Sequence, residues 1–128
     1  AWAPLCTALA ALLKSSRWKV RDVVVGHLDG PDALVRRRTA ITQDRLGELT
    51  PLSEIDHMKS GWLTRGRVLV LSATHPTMCD LRTVARREPE LAAYLALKSF
   101  FLHGELRADV DAEIATKAAE ARWRRTAT

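Results

Sequence analysis

Apolar residues return every three or four positions at the start of the chain, placing Leu5, Ala8, Leu9, Leu12 and Leu13 on one helical face. Pro4 is tolerated in a first turn and Ser15-Ser16 closes the run, so a helix is predicted over 4–14. The period then changes. Two stretches rich in β-branched residues, 17–26 and 33–41, flank Asp29-Gly30-Pro31-Asp32, which predicts a β-hairpin spanning about 17–41. Trp18, Val20 and Val24 share one face of its first strand, and Lys19, Arg21, Val23 and Val25 the other. The second strand sets Val35, Arg37, Thr39 and Ile41 against Leu34, Arg36, Arg38 and Ala40. Both faces mix apolar with basic residues, so one is expected to be buried and an arginine-bearing one to meet water.

Turn signals dominate 42–66, interrupted by one short helix: Thr50 and Pro51 form an N-cap and N1 pair, followed at helical spacing by Leu52, Ile55 and Met58 until Ser60-Gly61. The aliphatic run Val68-Leu69-Val70-Leu71 lacks alternation and predicts a strand, about 67–72, buried on both faces. Beyond His75-Pro76, Thr77 and Asp80 stand at capping-box spacing, and Met78, Leu81, Val84 and Ala85 predict a helix over 77–87. Pro89 ends it and opens a second helix, 89–103, which is apolar nearly all round and stops at Gly104. Such a helix either centres a core or is shared with a partner, which makes Leu91, Tyr94, Leu95 and Phe101 the candidate interface. A last helix, about 109–125, has Asp109 as cap, a thin stripe of Val110, Ile114 and Ala118, and a Glu113–Lys117 pair; 124–128 is expected to be a flexible tail. The pattern therefore predicts an α+β fold, a mainly helical single domain over 1–128 with one hairpin and one further buried strand.

At 128 residues the chain can bury one sizeable core. No stretch approaches the ~20 apolar residues that span a bilayer. The N-terminal "AWAPLCTALAALLK" lacks the basic start of a signal peptide, and it is read as a helix at a boundary. Cys6 and Cys79 are the only cysteines and are expected as free thiols in a reducing, intracellular compartment, cytoplasmic or nuclear. His75 and Cys79 are too few to hold zinc, and neither a metal nor another cofactor is expected.

Charge changes the picture more. Twenty basic residues face 15 acidic ones, and 15 of the twenty are arginine. The guanidinium fork grips phosphate or carboxylate in two places, so this bias points to an anionic partner, although a GC-rich genome produces the same bias. The cations form five islands: Arg17-Lys19-Arg21, Arg36-Arg37-Arg38, Arg65-Arg67, Arg82-Arg86-Arg87 and Arg122-Arg124-Arg125. Trp18, Trp62 and Trp123 lie in or beside three of them. Trp18 and Trp62 are expected in the core, whereas Trp123, among cations near the end, is placed to stack on a base. The leading expectation is thus a nucleic-acid-binding domain, RNA included, using Lys19, Arg21, Arg36, Arg37 and Arg38 on the hairpin and Arg122, Trp123, Arg124 and Arg125 at the end. The alternative is an assembly or scaffold domain, a homo-oligomer among others, joined through helix 89–103. An acidic membrane surface could replace nucleic acid as the polyanion.

Two short resemblances test other classes. The strand Val68–Leu71 followed by Ser72-Ala73-Thr74, His75-Pro76 and a helix resembles one motif of DEAD-box and related helicases, which implies ATP-driven movement. That chemistry needs a glycine-rich phosphate loop ending in lysine, and none of Lys14, Lys19, Lys59, Lys98 or Lys117 follows one. The acidic string Glu54–Met58 lies too close before Ser72 for the family's spacing, so the stretch is read as a strand exit, a proline turn and a helix cap. The hairpin "VRDVVVGHLDGPDALVRRRTAI" resembles that of chorismate lyase and effector-binding families, which implies a small-anion site or enzyme as a minor alternative; the arginine-rich motif those folds carry downstream is missing. Ser72, His75, His57 and Asp56 lack any oxyanion motif, so no catalytic residue is assigned. His27 and His103 suit capping or solvent.

Overall fold

The structure is a computed structural model that describes residues 1–16, 20–27, 38–44, 49–50, 66–101 and 108–127. Of these residues 58% are helical and 18% are in strands, which is the mainly helical α+β class expected from the sequence. The elements are α1 (Ala3–Lys14), β1 (Asp22–Gly26), β2 (Ala40–Gln43), β3 (Leu49–Thr50), β4 (Val68–Ser72), α2 (Pro76–Val84), α3 (Pro89–Ser99) and α4 (Ala108–Ala127).

The sheet order is β1-β4-β2-β3. β4 runs parallel to β1 and antiparallel to β2, so Val70 pairs with Val24 on one side and Ile41 on the other. This revises the predicted hairpin: strands form in both of its halves, but they do not pair, because β4 lies between them. The reason is in the residues. A central strand is hydrogen-bonded along both edges and covered on both faces, and four consecutive aliphatics suit that place better than β1, which opens on the exposed Asp22. The proposed turn, Asp29-Gly30-Pro31-Asp32, and the first residues of the predicted second strand lie outside the described residues. Val23, Ala40, Leu69 and Leu71 face the helices, while fully buried Ile41 packs with Leu49 and Val70 on the other side of the sheet. β1 and β4 approach so closely that a Cβ on Gly26 would stand 3.0 Å from Val70 Cγ1.

α1 buries Leu5, Leu9, Leu12 and Leu13, as its periodicity predicts, and lies against β1 and all three other helices. The inner face of α3 is Ala92, Ala93, Ala96 and Leu97, small enough to bring helix axes together. α3 ends earlier than expected, and Phe100 and Phe101 turn inward at 5% and 6% exposure. Phe101 therefore belongs to the chain's own core rather than to a partner surface; its bulk is buried where the helix stops. α2 is capped by His75, whose Nδ1 accepts a hydrogen bond from the Thr77 N–H at 3.1 Å, in place of the predicted Thr77–Asp80 box. Pro76 at N1 explains the shift, since proline holds the residue before it extended, the backbone an N-cap needs.

Thr50, read from sequence as a helix cap, pairs with Thr42 in the sheet; the helix predicted after it lies outside the described residues, as do Trp18 and Trp62. Residues 124–127, expected as a tail, continue α4. Cys6 and Cys79 are both free thiols, and burial, followed by the Asp22 carboxylate, pushes the Cys6 thiol above its ordinary pKa. Among the described residues no helix is long and apolar enough to cross a membrane.

Candidate nucleic-acid interface

α3 and α4 pack antiparallel, with charged side chains clasping both ends. At one end the Tyr94 hydroxyl donates to Asp111 Oδ1 at 2.5 Å, and Lys98 Nζ lies 3.3 Å from Asp111 Oδ2 and 5.5 Å from the Tyr94 ring centroid. Burial first, then the bond to Asp111, raise the Tyr94 pKa, against the opposing pull of Lys98. Tyr94 is the only tyrosine, so phenolate absorbance reads this clasp alone. Its titration midpoint is expected above the ordinary value of about 10 in the folded protein, lower in Asp111→Asn and higher still in Lys98→Met. A midpoint unmoved by Asp111→Asn would mean that the two groups do not touch in solution.

At the other end Glu88, the residue before α3, receives a forked guanidinium: Arg122 Nε lies 2.8 Å from Oε2 and Nη2 3.1 Å from Oε1. Arg125 reaches Glu90 Oε1 through Nε at 2.6 Å and comes within 4.0 Å of Glu88. The Arg122 hydrogen bond, assisted by the charges of Arg122 and Arg125, holds the Glu88 carboxyl below the usual carboxylate range, and the same bond raises Arg122. The arrangement also suits the backbone. Carboxylates stand at the positive start of α3 and guanidiniums at the negative end of α4.

This clasp joins two sequence islands that lie far apart in the chain. Arg86 and Arg87, exposed in the turn between α2 and α3, directly precede Glu88, where Arg122 docks. Neither forms an ion pair with any described residue. Arg82, the third member of that island, turns away to lie 5.0 Å over the Trp2 ring. Trp123 follows Arg122 on the side of α4 opposite Val110, Ile114 and Ala118, and is 72% exposed. An exposed apolar surface that large, directly after Arg122 in the chain, can stack on a planar ring, while Arg86 and Arg87, which precede Arg122's partner Glu88, can hold phosphates.

The remaining predicted residues are placed differently. Arg124 lines a cleft on the α1 side of α4, and Arg125 is committed to the clasp. Arg21 is exposed at the start of β1, where its backbone N–H donates to the Arg67 carbonyl at 2.7 Å. Arg38 is half-buried and engaged within the fold. Lys19, Arg36 and Arg37 lie outside the described residues. Leu91 and Leu95 are exposed on the outer side of α3, and Tyr94 belongs to the Asp111 clasp. In the sequence Arg86 and Arg87 stand out as an island without an assigned site; their position beside Glu88-Pro89, a helix start that attracts partners, is the signal that could have marked them.

The Ser-Ala-Thr exit closes on itself. Ser72 Oγ accepts from the His75 N–H at 3.2 Å and lies 3.4 Å from Thr74 Oγ1, while His75 Nδ1 is spent on Thr77. His75 therefore serves the helix cap rather than acting through that nitrogen as a base for Ser72. No protein family, curated relative or solved structure matches the chain.

Proposed function

We propose that this chain is a nucleic-acid-binding domain, with single-stranded RNA as the foremost partner. The observation that carries the reading is the docking of Arg122 on Glu88, the residue that directly follows Arg86 and Arg87, together with the exposed ring of Trp123 on the same helix as Arg122. In this reading Arg86 and Arg87 hold phosphates, Trp123 stacks on a base, and Arg122 exchanges one Glu88 oxygen for a phosphate oxygen. Two free thiols suit a reducing, intracellular setting for that task.

Fluorescence anisotropy of labelled RNA and DNA strands of about a dozen nucleotides, taken through a salt series, tests it. Binding is expected at about 50 mM salt and should fall along a straight line in log K against log salt. Absence of binding at low salt removes the proposal, and binding only to anionic lipid vesicles would reassign the arginines to a membrane surface. Self-assembly is a second reading, supported by Leu91 and Leu95 at 45% and 39% exposure one turn apart on α3. Light scattering that gives a dimeric mass, without RNA binding, would favour it.

A further inference from the structure

Between α1, the start of α3 and the second half of α4 lies a cleft of about 380 Å³. Its described floor is Ala8, Ala11, Leu12, Ala93, Ala118 and Ala121, contributed by all three helices. The space exists because alanines stand where longer side chains would meet. A volume near the lower end of the 300–1,000 Å³ typical of ligand pockets suits a small molecule.

Polar groups at the margin narrow the chemistry. Lys117 and Arg124 project from α4 to the cleft, and neither forms an ion pair with a described residue; the predicted Glu113–Lys117 pair is not made. Glu120 offsets part of this charge. Glu90 is the more telling group. Its side chain is only 11% exposed and its Oε1 is held by Arg125, yet its Oε2 is buried with no hydrogen-bond donor among the described residues. Buried carboxylate oxygens are ordinarily satisfied, and Glu90 lines the cleft, so a bound ligand can supply the donor that Oε2 lacks.

We infer that this cleft binds a small organic anion: an apolar body of up to three rings over the alanine floor, an acidic group on Arg124 and Lys117, and an N–H or O–H donated to Glu90 Oε2. The cleft and the proposed nucleic-acid surface use different ligand-binding groups, since Arg124 and Lys117 lie on the α1 side of α4 and Trp123 on its outward side; Arg125, which lines the cleft, also belongs to the Glu88 clasp.

Anilinonaphthalene sulfonate has those three parts and reports its own binding by fluorescence. One saturable site per chain is expected. The neutral phenylnaphthylamine, which lacks the sulfonate, should bind about tenfold more weakly. A phenoxy analogue with oxygen in place of the N–H should lose about threefold. Arg124→Ala is expected to weaken the sulfonate dye several-fold and leave the neutral dye unchanged. Ala121→Phe should abolish binding of both dyes while preserving the thermal melt and the RNA salt titration. If Ala121→Phe fails to fold, Ala11→Leu, at an exposed position on the cleft, carries the same expectation. Equal affinity for charged and neutral dyes, or binding that survives in a folded cleft-filling variant, would overturn the proposal. So would the absence of saturable binding to the native protein.

Discussion

Replacing Leu9 with alanine is expected to lower the free energy of unfolding by about 2–5 kcal/mol, the range for deleting a buried leucine whose surroundings cannot collapse. Leu9 is fully buried at the centre of the α1 stripe, and α1 lies against β1, α2, α3 and α4. Relaxation of α1 toward one neighbour would open a gap at another. The inner face of α3 is alanine at three of its four buried positions and has little bulk with which to fill the space. Against a typical total stability of about 5–15 kcal/mol, such a loss would shift the urea midpoint by a large fraction of its value. Lys14→Ala, at an exposed position of the same helix, should stay within about 0.5 kcal/mol. A Leu9→Ala loss below about 1 kcal/mol would show that α1 is not packed as described.

Substitutions at the α2–α3 turn should move RNA affinity in opposite directions. Removing both Arg86 and Arg87 is expected to weaken binding by one to two orders of magnitude and to flatten the salt dependence by about 1.4 in slope, at ~0.7 for each single-strand phosphate no longer neutralised. Glu88→Gln is expected to strengthen binding, because Arg122 then has no carboxylate to leave. The same variant should lose stability at neutral pH. Glu88's folded-state pKa lies below its unfolded one, so its contribution is present above the unfolded value and fades as pH falls through the folded value. The native and variant proteins should therefore converge in stability as the solution becomes strongly acidic. A purely architectural arginine cluster would give a different pair of results: reduced stability in Glu88→Gln without any gain in affinity.

The parts of the fold that are legible in the sequence depend on short-range regularity. The leucines of α1 repeat within one helix, and Val68–Leu71 announces a buried strand through four neighbouring residues. What the sequence hides depends on partners far along the chain. β1 and β2 look like a hairpin because a turn-rich stretch separates them, and nothing local says that residues 68–72 will enter between them. Two nearby strands with mixed faces leave their pairing open, whereas a wholly aliphatic strand is demanding about where it goes.

The site divides in the same way. Trp123 can be read as exposed from its place among cations near the end of the chain, and the structure gives 72% exposure. The fate of Arg122 and Arg125 cannot be read, because Glu88 and Glu90 lie more than thirty positions away. Phe101 is misassigned from sequence because a helix apolar on every side looks equally suited to a core and to a partner; only the end of α3 at Ser99 decides it. The cleft has no sequence signal at all, since alanines on three helices become a cavity only when the helices meet.

The interposed strand also fixes an order of events in time. β1 ends at Gly26 and β2 at Gln43, yet the strand that joins them begins only at Val68. During synthesis both flanking strands leave the ribosome as separate ribbons, with their backbone donors and acceptors turned toward an empty slot. β2 can pair with β3 once Thr50 is out, but pairing of β1, and of the other edge of β2, must wait until Ser72 has emerged, and long-range closure of this kind slows folding and lengthens the exposure of apolar edges. The nascent chain thus spends its most vulnerable interval between the appearance of β2 and the arrival of β4.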